Sequence, residues 1–194
     1  ISESKYRKSG FNKNYNEFTS NCFMAGDREG KNMGIANVEV KKRIVDKDNK
    51  NKKEILKTIF KGVFTYIDLK EFTQEIDLMS TDSNNNVKDK ISFDKDNLYI
   101  YTEDKEYALS VFDSDILDRI RDMKKEFNTN IELMVNKQML YIRFFMTDMD
   151  NTLLFASNNE KKLLYKYYRM INETYDLSEK IDENIMKCKT NKNI

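Results

Sequence analysis

The sequence predicts an α+β domain: a largely antiparallel sheet of short strands, with a mid-chain helix and a long C-terminal helix packed on it. Two observations predict this class. Short β-prone runs, separated by turns rich in Gly, Asn and Asp, fill most of residues 21–112. Apolar residues at helical spacing then mark residues 114–127 and again residues 159–186.

Length and composition indicate one domain. The chain has 194 residues, of which 39% are hydrophobic, so it can bury a packed core. We predict a single domain over residues 1–186, opening with a polar lead-in over residues 1–21 that has room for a short helix, and a disordered tail over residues 187–194. The 34 basic and 33 acidic residues leave a net charge of +1, which gives no overall attraction to nucleic acid.

The first half of the chain predicts strands. Residues 21–45 form a hairpin around a turn at residues 26–32, and residues 46–54 are a polar connector. Residues 55–69 alternate with period two, and residues 72–79 form a partner strand. Residues 82–86 form a loop, and short strands follow at residues 91–93, 98–102 and 107–112.

The second half adds the helices. Asp113 or Ser114 caps a helix, whose apolar stripe consists of Ile116, Ile120, Met123 and Phe127. Two strands, 131–135 and 139–146, flank a short hairpin link at residues 136–138, and residues 153–156 form one more strand. The helix over residues 159–186 packs its apolar stripe on the sheet, although a coiled-coil partner face is the alternative.

Few residues offer chemistry. The chain has no histidine, and its two cysteines, Cys22 and Cys188, lie at opposite ends, so we predict no metal site and no cofactor. Residues 82–86 begin like a calcium loop and residues 26–32 like a phosphate-binding loop, but both lack required residues and are predicted as turns. The basic runs 41–43 and 50–53 are interleaved with acids, which favours a solvated loop.

One stretch resembles a catalytic signature. Asp148-x-Asp150-x-Thr152-Leu153 follows an apolar strand and is similar to the first motif of haloacid dehalogenase-like phosphatases. In that family the first aspartate is the nucleophile, the second is the general acid, and the pair binds Mg²⁺. Too little chain follows to build the doubly wound sheet that this chemistry needs, so we predict an exposed turn between antiparallel strands. The sequence thus predicts no catalytic residue, and a Mg²⁺-dependent phosphatase using Asp148 and Asp150 is the alternative.

A wider resemblance covers most of the chain. The chain resembles the soluble part of an uncharacterised bacterial family, domain of unknown function 3137, at residues 37–40, Ile59 to Phe64, Val87, Ile91, Phe93, Tyr99, Tyr101, Asp104, Ala108, the helix from Asp113, and residues 140–142. The resemblance implies no catalytic residues. It does imply transmembrane helices before this domain, which would fit a chain that begins at Ile1 rather than at methionine.

The sequence therefore favours a non-enzymatic binding or assembly module of a membrane-tethered bacterial protein. We expect a cytoplasmic or cytoplasm-facing location, a protein partner or self-association through the C-terminal helix, no nucleic-acid partner, and membrane contact only through a segment outside this chain. The remaining alternative is a small-ligand or lipid pocket between the sheet and the C-terminal helix.

Overall fold

A computed structural model describes residues 1–12, 14–45, 54–79, 89–93, 98–146 and 157–191. It confirms the predicted α+β class, with a mostly antiparallel sheet and a long C-terminal helix packed on it. The elements in chain order are α1 (Glu3–Lys8), β1 (Glu17–Arg28), β2 (Lys31–Val45), β3 (Glu54–Met79), β4 (Asp89–Phe93), β5 (Leu98–Thr102), α2 (Lys105–Val111), α3 (Ser114–Phe127), β6 (Ile131–Phe145) and α4 (Ser157–Asn191).

The long strand β3 organises the sheet. On one side β3 pairs with β6 along both of its halves. On the other side its first half pairs with β2 and its second half with β5, so β2 and β5 lie end to end. Strands β1 and β4 pair with β2 and β5 and complete the sheet of the described residues. The register between β3 and β6 shifts between Asp68 and Ile76, where β2 ends its pairing and β5 takes over.

Two predicted hairpins are single strands. Residues 55–69 and 72–79 do not pair with each other; both belong to β3, because the polar stretch between them forms an irregularity rather than a turn. Residues 131–135 and 139–146 likewise were wrongly predicted as a hairpin. The link between them holds Lys137 at φ 58°, a left-handed conformation that kinks β6 without reversing it.

A third prediction was wrong at residues 107–112, which were expected to be a strand. Residues 105–111 form helix α2, because the Asp104 side chain accepts a hydrogen bond of 2.9 Å from the backbone N–H of Tyr107 and caps the helix. Ala108 and Val111, three residues apart, are the side chains that α2 buries.

The helix predicted after Asp113 is confirmed as α3, with the Asp113 side chain as its N-cap and the predicted apolar stripe buried. Helix α4 begins at Ser157 and ends at Asn191, so residues 187–191, predicted as part of the tail, are helical. The turn predicted at residues 26–32 is shorter than expected: β1 ends at Arg28 and β2 begins at Lys31, so only Glu29 and Gly30, both at positive φ, form it. The predictions for residues 46–53, 82–86, 148–150 and 153–156 lie outside the described residues.

The sheet carries an apolar cluster on each face. The larger cluster joins the sheet to α2, α3 and α4. The smaller one lies under the N-terminal segment, where Tyr6 and Phe11 cover Phe60, Phe64 and neighbouring residues. Helix α4 thus lies on one face of the sheet and α1 on the other.

Candidate binding surface

Metal-binding side chains do not converge in the described part of the chain. No group of three or more Cys, Asp or Glu side chains there could hold a metal ion. Cys22 in β1 and Cys188 in α4 are both free thiols. Asp148 and Asp150 lie outside the described residues, so the exposed-turn geometry stays a prediction.

The stretch that is similar to a phosphate-binding loop contains a lysine with a different role. The Lys31 side chain is buried, and its ammonium lies 2.6 Å from the carboxylates of Glu179 and of Asp182 and donates a 3.0 Å hydrogen bond to Ser178. The hydrogen bond to Lys31 lowers the pKa of Glu179 below its usual value. An ammonium already bonded to two carboxylates does not bind phosphate.

Asp182 is the other buried member of this cluster. Its carboxylate also accepts hydrogen bonds from the backbone N–H groups of Lys70 and Glu71, at 3.1 and 3.0 Å. These N–H groups lie at the irregular stretch of β3, so α4 supplies acceptors that the sheet ladder does not. The Lys31–Asp182 cluster therefore links α4 to β2 and β3 by ion pairs and hydrogen bonds.

The clefts of the molecule are shallow and polar. A cleft of about 410 Å³ lies between α2 and the end of α4, but its Asp104 and Asp113 carboxylates already cap helices. A second cleft, of about 220 Å³, lies on the sheet beside Asn37 and Gly62, where Asn37 accepts a 2.5 Å hydrogen bond from the Tyr167 hydroxyl. Small-molecule sites are usually lined by apolar side chains, so neither cleft resembles one.

The space between α4 and the sheet is packed. Met170, Leu177, Ile181 and Ile185 are buried there against the sheet core. A hydroxyl pair, Thr65 and Thr174, joins the two elements at 3.0 Å. Among the described residues, the interface that was considered for a lipid pocket is filled by side chains.

The surface is different at the first half of α4. Leu164, Tyr165 and Tyr168 have exposed fractions of 59%, 62% and 61%, and in β1 Phe23 and Met24 have exposed fractions of 48% and 43%. We call the three side chains of α4 together with Met24 the apolar patch; Phe23 lies opposite Ala36 of the smaller cluster and points to the other face of the sheet. Exposed leucine and tyrosine side chains grouped in this way are typical of protein contact surfaces.

The geometry brings the two parts of the patch to one side of the sheet. Met24 pairs with Ile35, whose side chain is buried in the cluster beneath α4, so Met24 points to the α4 face. Leu164 and Tyr168 lie on the same helical stripe as Asn172, which accepts a 2.8 Å hydrogen bond from Arg28 of β1. The patch therefore runs from α4 toward the edge formed by β1.

The edge formed by β1 has a bulge as protection against pairing, but no charged side chain over its middle section. Strand β1 is the outer strand beside β2, and residues 18–26 carry no charged side chain. Edge strands usually carry charges or proline to prevent pairing with other chains. A bulge at Cys22, with φ 50°, divides this edge into two short pairing segments.

The fold is that of an α+β domain with an exposed apolar patch, and its described residues contain no group of acidic or cysteine side chains that could hold a metal ion. Neither a family model nor a curated protein matches the sequence. The fold is similar to the crystal structure of the mycobacterial trehalose monomycolate transport factor A, TtfA, with a TM-score of 0.50 and 8% sequence identity. The match covers 88% of this chain and 74% of that one, and it shows a shared fold alone.

Proposed function

We propose that this protein is a non-enzymatic binding or assembly module that docks a partner protein on the apolar patch. The observation that carries the proposal is the grouping of three exposed side chains of α4 with an uncharged sheet edge. The solved structure with a similar fold is described as a transport factor, which supports a binding role for this architecture.

The occupant that best fits is an extended apolar segment of a partner. Such a segment would pair with the free backbone groups of β1, and its side chains would contact Tyr168 and Met24. Tyrosines at a contact surface contribute much of the binding free energy because they bury large areas at low entropic cost. A membrane-tethered parent protein, as the family resemblance implies, remains part of this proposal, together with the cytoplasm-facing location that we expect.

The contact is tested by selecting short random peptides from a display library on the wild-type domain. The selected peptides should bind the wild type and lose binding to the variant Leu164→Ser/Tyr168→Ser. Met186→Ser is the matched control, since Met186 is equally exposed on α4 but lies five turns away. Hydrogen exchange should show new protection of β1 amides. Peptides that bind both variants equally, or a selection that yields none, would contradict the proposed site.

Self-association is a separate outcome of the same experiment. Light scattering of the wild type and the patch variant tells whether a second copy occupies the patch in place of a partner. If the wild type forms a dimer and the patch variant does not, the occupant of the patch is a second copy of this chain and not a partner protein.

The absence of catalysis is tested through Asp148. We expect no Mg²⁺-dependent release of phosphate from a generic phosphate ester. Release that is lost in Asp148→Asn and retained in Glu160→Gln would overturn the non-enzymatic proposal in favour of the phosphatase.

A further inference from the structure

A two-stranded ribbon extends beyond the sheet at the ends of β2 and β3. The pairing of β1 with β2 stops at Lys41, and the pairing of β6 with β3 stops at Gly62. Beyond these positions, residues 42–45 pair with residues 54–57 and with no other strand among the described residues. We call these eight residues the ribbon.

One face of the ribbon is cationic and apolar. Lys42 lies directly opposite Lys57, and Ile44 lies directly opposite Ile55, one same-face step further along. All four side chains are exposed or half-buried, and the exposed fraction of Ile55 is 40%. Like charges directly opposite each other destabilise a strand pair, so this arrangement is a cost that the fold itself does not require.

The two faces of the ribbon differ in how their charges are balanced. On the opposite face Arg43 lies 3.5 Å from the Glu54 carboxylate. At the base of that face, Lys41 lies 3.6 Å from Glu39. Neither Lys42 nor Lys57 has an ion-pair or hydrogen-bond partner within the described ranges. Only the face with the two isoleucines is left with uncompensated positive charge.

The charge distribution along the chain points the same way. Residues 41–58 contain eight basic and three acidic residues, a net charge of +5, whereas the whole chain has +1 and the rest therefore −4. This asymmetry orients the molecule in an electric field, with the ribbon toward an anionic surface.

We propose that this face of the ribbon lies on the surface of an anionic phospholipid bilayer. Lys42 and Lys57 would contact headgroup phosphates, while Ile44 and Ile55 reach the boundary of the acyl chains. Nucleic acid fits less well, since the face offers no aromatic ring for base stacking and no amide or guanidinium for base edges. The proposal is independent of the partner site on the apolar patch.

The ribbon face and the patch lie on opposite sides of the sheet. Val40 is buried in the cluster beneath α1, and Lys42, two residues further along β2, points to the same side. The apolar patch lies on the α4 side. A bilayer and a partner protein would therefore not compete for the same face.

Co-sedimentation with phosphatidylcholine vesicles, with and without phosphatidylglycerol, tests the proposal. The wild type should bind only the anionic vesicles, less tightly as salt rises. Lys42→Gln/Lys57→Gln should weaken binding roughly 10- to 30-fold, and Ile44→Ser/Ile55→Ser should also weaken it. The matched control Lys161→Gln/Lys162→Gln, which removes the same charge from exposed positions of α4, should bind like the wild type.

The proposal fails if the wild type ignores anionic vesicles, if the control loses binding as much as the ribbon variant, or if only nucleic acid binds. If a ribbon variant does not fold, hydrogen exchange on the wild-type protein tests the contact without any substitution. Amides of residues 42–45 and 54–57 should become protected when anionic vesicles are added, and unchanged exchange there would equally refute the contact.

Discussion

Gly62 shows how one residue decides the approach of two strands. It pairs with Val38 on one side and Phe145 on the other, and a Cβ built on it would lie 1.9 Å from the backbone oxygen of Phe144. Because the obstructing atom belongs to the main chain of β6, no rotamer change can relieve the overlap. Gly62 therefore lets β3 and β6 approach each other closely at this point.

We expect Gly62→Ala to destabilise the protein by roughly 3 kcal/mol or more, because β3 and β6 must separate to admit the methyl group. Gly26→Ala is the control, since nothing lies within 4 Å of a Cβ at that position. Urea unfolding of the two variants measures the difference. Equal midpoints for both would show that β6 can move away from Gly62 at little cost.

Other single residues were beyond prediction from the sequence. Tyr6 occurs among lysines and an arginine, so it was assigned to a polar lead-in, yet its side chain is only 1% exposed. Its hydroxyl donates to Asn12 and accepts from Arg143, which is itself buried in an ion pair with Glu132. Charged residues on a largely buried strand and a lone aromatic in a polar segment become interpretable only when the two segments meet. No local pattern contains that information.

At the scale of secondary-structure elements, the sequence predicted whether a segment is helix or strand better than it predicted which strands pair with each other. The capping aspartate and the stripe of α3 are local signals, and both were read correctly. Whether the chain reverses at a polar interruption in a strand depends on whether other parts of the protein offer hydrogen-bond acceptors to the backbone N–H groups there. At residues 70–71 the Asp182 carboxylate of α4 accepts the backbone N–H groups, so β3 continues instead of turning. A contact between residues 111 or more positions apart cannot be predicted from strand propensity.

The contribution of the Lys31–Asp182 ion pair to the free energy of unfolding can be measured. Lys31→Met should destabilise the protein by about 3 kcal/mol, because it leaves the buried Asp182 carboxylate without its cation. Lys70→Gln is the control, since Lys70 is exposed, lies 3.5 Å from Glu179 and should contribute less than about 1 kcal/mol. Chemical denaturation followed by circular dichroism measures both. A loss for Lys31→Met no larger than that for Lys70→Gln would show that α4 is held by apolar packing alone.

The molecule as a whole is a sheet with both faces covered, which the sequence did not predict. It predicted helices packed on one face, and α2 to α4 occupy that face. The second face is covered by a segment of only twelve described residues, whose Tyr6 and Phe11 close the smaller cluster. Because the apolar patch, the ribbon and this segment lie at different places on the sheet, stability and the two proposed contacts can be perturbed separately.

Both clusters contain buried tyrosines, and these make the stability of the fold sensitive to alkaline pH. Burial raises the pKa of Tyr141 in the smaller cluster, and of Tyr167 against β2, from the ordinary value of 10.0 to about 12. A raised pKa in the folded state means that the neutral phenol is favoured there. The stabilising contribution is therefore complete below about pH 10 and is lost as the pH rises from there toward 12.

We expect the free energy of unfolding to fall by about 1 kcal/mol per buried tyrosine between about pH 9 and about pH 11. Tyr141→Phe keeps the ring and removes the ionisable hydroxyl, so its stability should depend less steeply on pH than that of the wild type. Tyr165→Phe, at an exposed position, should retain the wild-type slope. Urea titrations at each pH, with phenolate absorbance recorded in parallel, separate the two. If both variants gave the wild-type slope, the alkaline loss would come from other groups, such as Tyr167 or the lysines, and Tyr141 would contribute nothing to it.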